Sequence, residues 1–241
     1  MNYNPIEEEK KWWLIGNKKN RKPKPLPPKH QFAHGHIRSR LYDTLVTLKC
    51  DDNSLILEVG CGSGEDAAYV QKASENIIGV DIAPVALKNF LSRGFQGVLA
   101  DVKELPFHSN SFDYLISSGL LHHLIGQGDL KEYLREFVRI TRRGGYVIAL
   151  EPNLFNPSGF LMNIFNRINP GVTGLVPHEK ALSPLYLTKI FSAAGLENVQ
   201  CISASYVWNR LPLFISKFIS KHEDKIRFRK PFNLLGWFVI V

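Results

Sequence analysis

Ile56-Leu57-Glu58-Val59-Gly60-Cys61-Gly62-Ser63-Gly64-Glu65-Asp66 is the stretch that decides how this chain folds. An apolar run rich in β-branched residues stops at three glycines spaced every second residue, and a helical pattern follows. That order predicts a strand, a tight loop and a helix N-terminus. Glycines free the loop's φ angles and clear side chains from backbone against which a ligand must lie. The unpaired N–H groups of the following helix would face the ligand's polar end.

Outward from the loop, strand and helix patterns alternate. Strands are predicted over 54–59, 76–80, 97–100, 112–117 and 146–150, and helices over 65–73, 84–93 and 130–141. Pro84 suits the first turn of its helix. Before them, Ile37, Leu41, Leu45 and Leu48 recur at helical spacing in 36–48. After them, 151–183 is rich in Asn, Pro and Gly, with one apolar helix pattern at 160–168; a helix over 183–193, a strand over 199–206, a helix over 211–221 and a last strand over 237–241 follow. Such alternation implies an α/β fold with a parallel sheet covered on both faces.

Three carboxylates fall at or just past strand C-termini: Glu58, Asp81 and Asp101. In a doubly wound sheet these ends open onto one crevice. Asp81 is placed to accept both hydroxyls of a ribose, although an Asp after a strand also commonly caps the next helix. The loop spells Gly-x-Gly-x-Gly, with its third glycine one residue too early for the dinucleotide fingerprint, so a nicotinamide oxidoreductase fits poorly. A cationic ligand containing a nucleoside suits the crevice better.

Several co-linear motifs make the resemblance specific. They are Leu57 to Gly64, Gly79-Val80-Asp81-Ile82, Asp101 with Leu105-Pro106-Phe107, Ser111-Phe112-Asp113, Leu121-His122-His123 and Arg142-Arg143-Gly144-Gly145. The chain resembles class I S-adenosylmethionine-dependent methyltransferases, within the group around the ubiquinone/menaquinone-biosynthesis enzymes. The match runs from Ser54 to about Glu151, is loose beyond it and is absent before His36. It implies a doubly wound, mostly parallel seven-stranded sheet with helices on both faces, a reversed strand near one edge and a cap insertion after the fifth strand. It also implies that Gly60, Cys61, Gly62 and Gly64 cradle the methionine moiety, with Glu58 near its amino group. Asp81 would hold the ribose hydroxyls, Ile82 would flank the adenine, and Asp101 and the Val102 N–H would bind the adenine edge. Ser117 or Ser118 would approach the methionine amino group. The expected division is an N-terminal helix and basic Pro-rich arm over 1–35, then a methyltransferase domain over 36–241 with its cap at 151–184.

A sulfonium is already an activated methyl donor, so the protein must align an in-line displacement and exclude water. A base is needed only where the acceptor loses a proton. His122 and His123, after the fourth strand, are the catalytic candidates, though a His pair there also serves structurally in the group; Glu151 and His178 are weaker ones. His34, His36, His122 and His123 lack an accompanying carboxylate pattern, so no metal site is expected. Phe155, Phe160, Leu161, Met162, Ile164 and Phe165 in the cap either line an apolar acceptor site or membrane-facing surface, or form the buried face of a cap helix, the preferred reading. Trp12 and Trp13 are expected to close the site as a lid.

Charge is concentrated at the ends. Residues 1–40 hold ten Lys/Arg against three Glu, 41–209 thirteen against seventeen acidic residues, and 210–241 seven against two. Basic ends beside aromatic residues suit solubility first, and also an anionic membrane surface or nucleic acid. No apolar run reaches the ~18 residues of a membrane-spanning helix, and no secretory leader is evident, so a soluble cytoplasmic protein with membrane-peripheral contact through its ends is expected. Cys50, Cys61 and Cys201 are scattered and read as packing residues. The leading expectation is therefore methyl transfer to a small, apolar or lipid-linked acceptor. An RNA methyltransferase using the basic arm and a non-catalytic S-adenosylmethionine-binding scaffold are the alternatives; nucleic acid is disfavoured because no RNA-binding module is recognisable.

Overall fold

The computed structural model describes residues 6, 7, 10, 26–168 and 179–241. Trp12, Trp13, His178 and most of the predicted N-terminal helix and basic arm lie outside the described residues. The elements are α1 (Pro28–Thr47), β1 (Ile56–Val59), α2 (Ala67–Val70), β2 (Ile77–Asp81), α3 (Pro84–Ser92), β3 (Gln96–Leu99), β4 (Phe112–Ser118), α4 (Leu121–Leu124), α5 (Leu130–Ile140), β5 (Thr141–Pro152), α6 (Pro157–Ile168), α7 (Pro184–Ala194), β6 (Ile202–Ser205), α8 (Leu213–His222) and β7 (Phe238–Ile240).

The strands form one seven-stranded sheet in the order β3-β2-β1-β4-β5-β7-β6. β3, β2, β1, β4 and β5 run parallel, and β7 lies antiparallel between β5 and β6. This is the expected doubly wound α/β fold with its reversed strand. All four residues of β1 are buried, as a central parallel strand covered on both faces requires. One face packs Leu57, Val59, Val80 and Leu115 against Leu134, Phe137, Leu187 and Phe191 of α5 and α7. The other packs Ile56, Ile77, Ile116 and Ile148 against Leu41 and Leu45 of α1, Val70 of α2 and Phe90 of α3. Strand order reverses between β1 and β4, where such sheets open a ligand crevice at the strand C-termini.

Three boundaries depart from expectation. α1 starts at Pro28, with Pro27 at its N-cap, so the division expected at 35/36 lies inside a helix whose Ala33 is wholly buried. Prolines ahead of a helix initiate it, and the extended-arm reading carried past that start. α2 has four residues where nine were predicted; Asp66, in the helical conformation ahead of it, makes no capping bond, and its carboxylate accepts Arg38 Nε at 3.2 Å. The long helix N-terminus expected beside the loop is therefore not formed. In the cap, α6 buries only Gly159 and Asn166 and exposes Phe160, Leu161, Ile164, Phe165 and Ile168, the reverse of a cap helix with a buried apolar face. Among the described residues, no helix is long and apolar enough to cross a membrane.

Candidate active site

The glycine loop crosses the C-terminal end of β1 with φ of +69° at Gly60 and +80° at Gly64, a region L side chains rarely adopt. A Cβ at Gly60 would stand 2.9 Å from Leu120 Cδ1, and one at Gly64 2.9 Å from Phe90 Cδ2. The loop is stitched to β2 by Gly60 N and Cys61 N, which both donate to Val80 O at 2.8 and 3.0 Å. Asp81 completes the clamp: Oδ2 accepts Gly62 N and Oδ1 accepts Ala83 N, each at 2.8 Å. Asp81 does not cap α3, whose N-cap is Ala83 with no side-chain capping bond; its carboxylate ties the glycine loop to the turn after β2. A carboxylate oxygen has two lone-pair directions, so each can accept more than one donor.

Glu58 is 2% exposed, and its Oε2 has no hydrogen-bond partner among the described residues. Burial, then the negative fields of Asp66 and Glu65, push its pKa well above the usual carboxylate range, with Arg38 opposing them. Burial also raises Asp66, against Arg38 and a hydrogen bond from Ser118. The crevice is therefore acidic and short of cations. An orphaned buried acceptor under a glycine cradle, ringed by carboxylates, fits the ammonium and sulfonium of S-adenosylmethionine.

Register separates the two serines. Glu58 pairs with Ile116, so Ile116 and Ser118 share its face of the sheet while Ser117 points to the other. Ser117 Oγ is buried there without a partner among the described residues. Ile82 is half-buried beside Asp81. Asp101, just past β3, accepts Lys103 N at 2.9 Å, and Val102 is buried in the core. Burial pushes the Cys61 thiol far up, so it serves as a small packing group.

A second cluster stands past β4 and β5. Glu151, wholly buried in β5, accepts Leu120 N and Leu121 N at 3.0 and 2.8 Å through Oε1. Its Oε2 takes His122 N at 3.3 Å and His122 Nδ1 at 2.8 Å. Glu151 offers an acceptor, so His122 Nδ1 is the donor of this bond and Nε2 is turned away from Glu151. The His122 and His123 rings lie 4.2 Å apart, and His123 Nδ1 sits 3.0 Å from Glu179 Oε1.

Glu179 went unnoticed in the sequence reading, which stopped one residue earlier at His178. It is delivered by side chains no periodicity flags. Asn166 Nδ2 donates to Glu179 O at 2.8 Å, and Asn163 exchanges two bonds with Ala181, at 2.7 and 3.2 Å. His34 and His36 do not join the cluster: His34 packs edge-on against Trp237, and His36 binds Glu223 at 2.6 Å.

Comparison with known proteins bears on this geometry. Residues 57–149 match the methyltransferase domain family model. The chain is 32% identical over 128 residues to mouse arginine-hydroxylase NDUFAF5 (Mus musculus), covering 52% of this chain and 36% of that one. It is 34% identical over 95 residues to the tRNA (carboxymethyluridine(34)-5-O)-methyltransferase of Arabidopsis thaliana, covering 39% and 23%. It is 31% identical over 129 residues to the phthiotriol/phenolphthiotriol dimycocerosates methyltransferase of Mycobacterium leprae, covering 51% and 46%. The chain spans less than half the length of each of these curated relatives. Among solved structures, a SAM-dependent methyltransferase from Thermotoga maritima superposes with a TM-score of 0.65 at 17% identity, over 98% of this chain and 93% of that one. The relatives' names include a tRNA and a phthiotriol/phenolphthiotriol dimycocerosates methyltransferase, so their acceptors differ and do not fix the acceptor of this chain.

Proposed function

Because residues 57–149 match the methyltransferase domain family model, we propose that the chain is a class I S-adenosylmethionine-dependent methyltransferase that moves a methyl group to a small apolar or lipid-linked acceptor at a membrane surface. The observation that carries the acceptor class is a pair of helices turned inside out. α6 buries Gly159 and Asn166, and α8 buries Ser216, while α8 exposes Phe214 at 74% and Phe218 at 65%. A water-facing helix normally reverses this pattern. Lys217 and Lys221 accompany the α8 aromatics, and Ile226, Phe228, Arg229, Lys230, Phe232 and Leu235 continue the exposed surface. Aromatics beside lysines suit an anionic bilayer interface. Asn156 Nδ2, at the start of α6, bonds Leu235 O at 3.0 Å, which ties the two regions together.

On this reading the donor lies over Gly60, Gly62 and Gly64, with Glu58 toward its ammonium, Ser118 on the same side, Asp81 and Ile82 at the ribose and adenine, and Asp101 and Val102 at the adenine edge. The sulfonium supplies an activated methyl group. The protein's part is to fix the crevice, to draw in a cation with carboxylates, and to hold the acceptor at the open side where His122 and His123 stand. That imidazole pair stands where a hydroxyl acceptor would have to lose its proton.

Purified protein given methyl-labelled S-adenosylmethionine and a cell extract, then fractionated, tests the proposal. Label is expected in the lipid fraction and dependent on vesicles. Label recovered in RNA would favour the second reading, which the tRNA-methylating relatives and the basic ends support. No incorporation from any fraction, with donor binding intact, would favour a scaffold.

A further inference from the structure

His122 and His123 of α4 meet Glu179, which comes from the segment ahead of α7. One donor atom from each, a ring nitrogen or a carboxylate oxygen, lies within 4.8 Å of the others. We propose that these three side chains bind one divalent first-row cation of the zinc–iron class beside the methyl-transfer site. Two imidazoles with one carboxylate suit such ions, whereas calcium and magnesium prefer all-oxygen sets. The distances are close to what coordination needs. Two ligands about 2.0–2.1 Å from a tetrahedral ion stand roughly 3.3–3.4 Å apart, and His123 Nδ1 and Glu179 Oε1 are already 3.0 Å apart. A small opening of this pair and a small closing of His122 complete the geometry.

The supporting shell is also in place. Glu151 holds Nδ1 of His122 at 2.8 Å, the carboxylate–histidine arrangement that fixes the tautomer of a metal ligand and raises its basicity. Asn166 and Asn163 pin the backbone around Glu179. The carboxylate side chain is only 5% exposed, and that of His122 10%. Three protein ligands leave coordination positions for an outside oxygen, as in catalytic rather than structural sites. The inference deepens the proposed methyl transfer: an acceptor hydroxyl bound to the ion would lose its proton to water while its oxygen keeps the electron pair, with the imidazoles acting as ligands instead of bases. Ion binding itself is measured without donor or acceptor, so it can fail or hold independently of that reading.

Chelator-stripped protein titrated with Zn2+ by calorimetry, and with Co2+ by visible absorption, gives the test. One ion per chain is expected, with cobalt bands typical of nitrogen and oxygen ligation at low coordination number. Glu179→Gln and half-exposed His123→Ala should each weaken binding by more than about tenfold, and Glu151→Gln by about 10–100-fold. His108→Ala, an exposed histidine elsewhere, should leave it unchanged. Circular dichroism identifies any variant that fails to fold, and the cobalt spectrum of the unaltered protein stands without variants. Absence of stoichiometric binding, or binding indifferent to both Glu179→Gln and His123→Ala in folded protein, would overturn the proposal and leave a hydrogen-bonded His–Glu pair.

Discussion

Glu58 carries an unusual burden for a single side chain: a carboxyl with no solvent, a partnerless oxygen and carboxylate neighbours. Its folded pKa is raised, so its contribution to stability is full below the unfolded value and fades as pH rises through the folded one. A cation entering the crevice lowers that pKa, and binding then expels a proton. S-adenosylmethionine affinity should therefore fall as pH drops through the raised value. Calorimetry in buffers of different ionisation enthalpy should detect the released proton, and Glu58→Gln should abolish the release; equal heats in all buffers would refute the linkage. Asp81 poses a different test. Asp81→Ala removes charge-assisted hydrogen bonds and should weaken donor binding by about 1.5–3 kcal/mol, and unchanged calorimetric affinity in folded protein would sink the ribose assignment. Asp81 was legible because it follows a recognisable strand by one residue. Ser117 and Ser118 were not separable, because one residue of register turns a side chain to the opposite face and only the pairing with β1 sets it.

At the scale of elements, the period of α6 and α8 was readable, but the side each buries was not. A hydrophobic period says which residues share a face, and what lies opposite decides whether that face is covered. In α6 the facing groups are the Asn166–Glu179 and Asn163–Ala181 contacts, so its polar edge turns inward and its phenylalanines turn out. α1 was misjudged for a local reason: four prolines among lysines read as an extended arm, yet the last of them, Pro28, starts the helix. The inside-out α8 gives a direct prediction. Burying a Phe side chain is worth about 1.5–3 kcal/mol, so Phe214→Ser with Phe218→Ser should weaken binding to anionic vesicles by more than about 100-fold. Exposed positions tolerate such changes to within about 0.5 kcal/mol of stability, so the melting temperature should hold. Vesicle cosedimentation distinguishes the outcomes. Retained vesicle binding would reassign the face, and a loss of self-association in sedimentation instead would make it a contact between copies of the chain.

Across the whole molecule, the two ends of the described fold are joined by one buried cluster of charges. Glu223, just past α8, accepts Arg40 Nη2 at 2.5 Å and pairs with His36 at 2.6 Å, both from α1. Its second oxygen takes Ser205 Oγ and Tyr206 N at the end of β6, and Arg227 donates to Ala204 O at 3.1 Å. The first helix, the edge strand and the segment after α8 thus share one carboxylate. Nothing in the sequence announced it, since a buried pair 183 residues apart leaves no periodic trace and His36 was weighed only as a metal ligand, and set aside. Burial alone would raise the Glu223 pKa, but the hydrogen bonds from His36 and Arg40 bring it below the ordinary 4.5. A depressed carboxylate contributes stability that is present above its unfolded value and lost as pH falls through the folded one. Stability should therefore hold above about pH 5 and decline below the ordinary glutamate range, where protonation releases α1 from β6. Glu223→Gln leaves Arg40 with only Asp43 and Asp224, both more exposed, and should lower stability at neutral pH by less than the about 3–5 kcal/mol of an uncompensated buried charge. It should also flatten the acid limb of the urea midpoint against pH. A variant that loses stability equally at every pH would show that Glu223 acts through packing rather than through its charge.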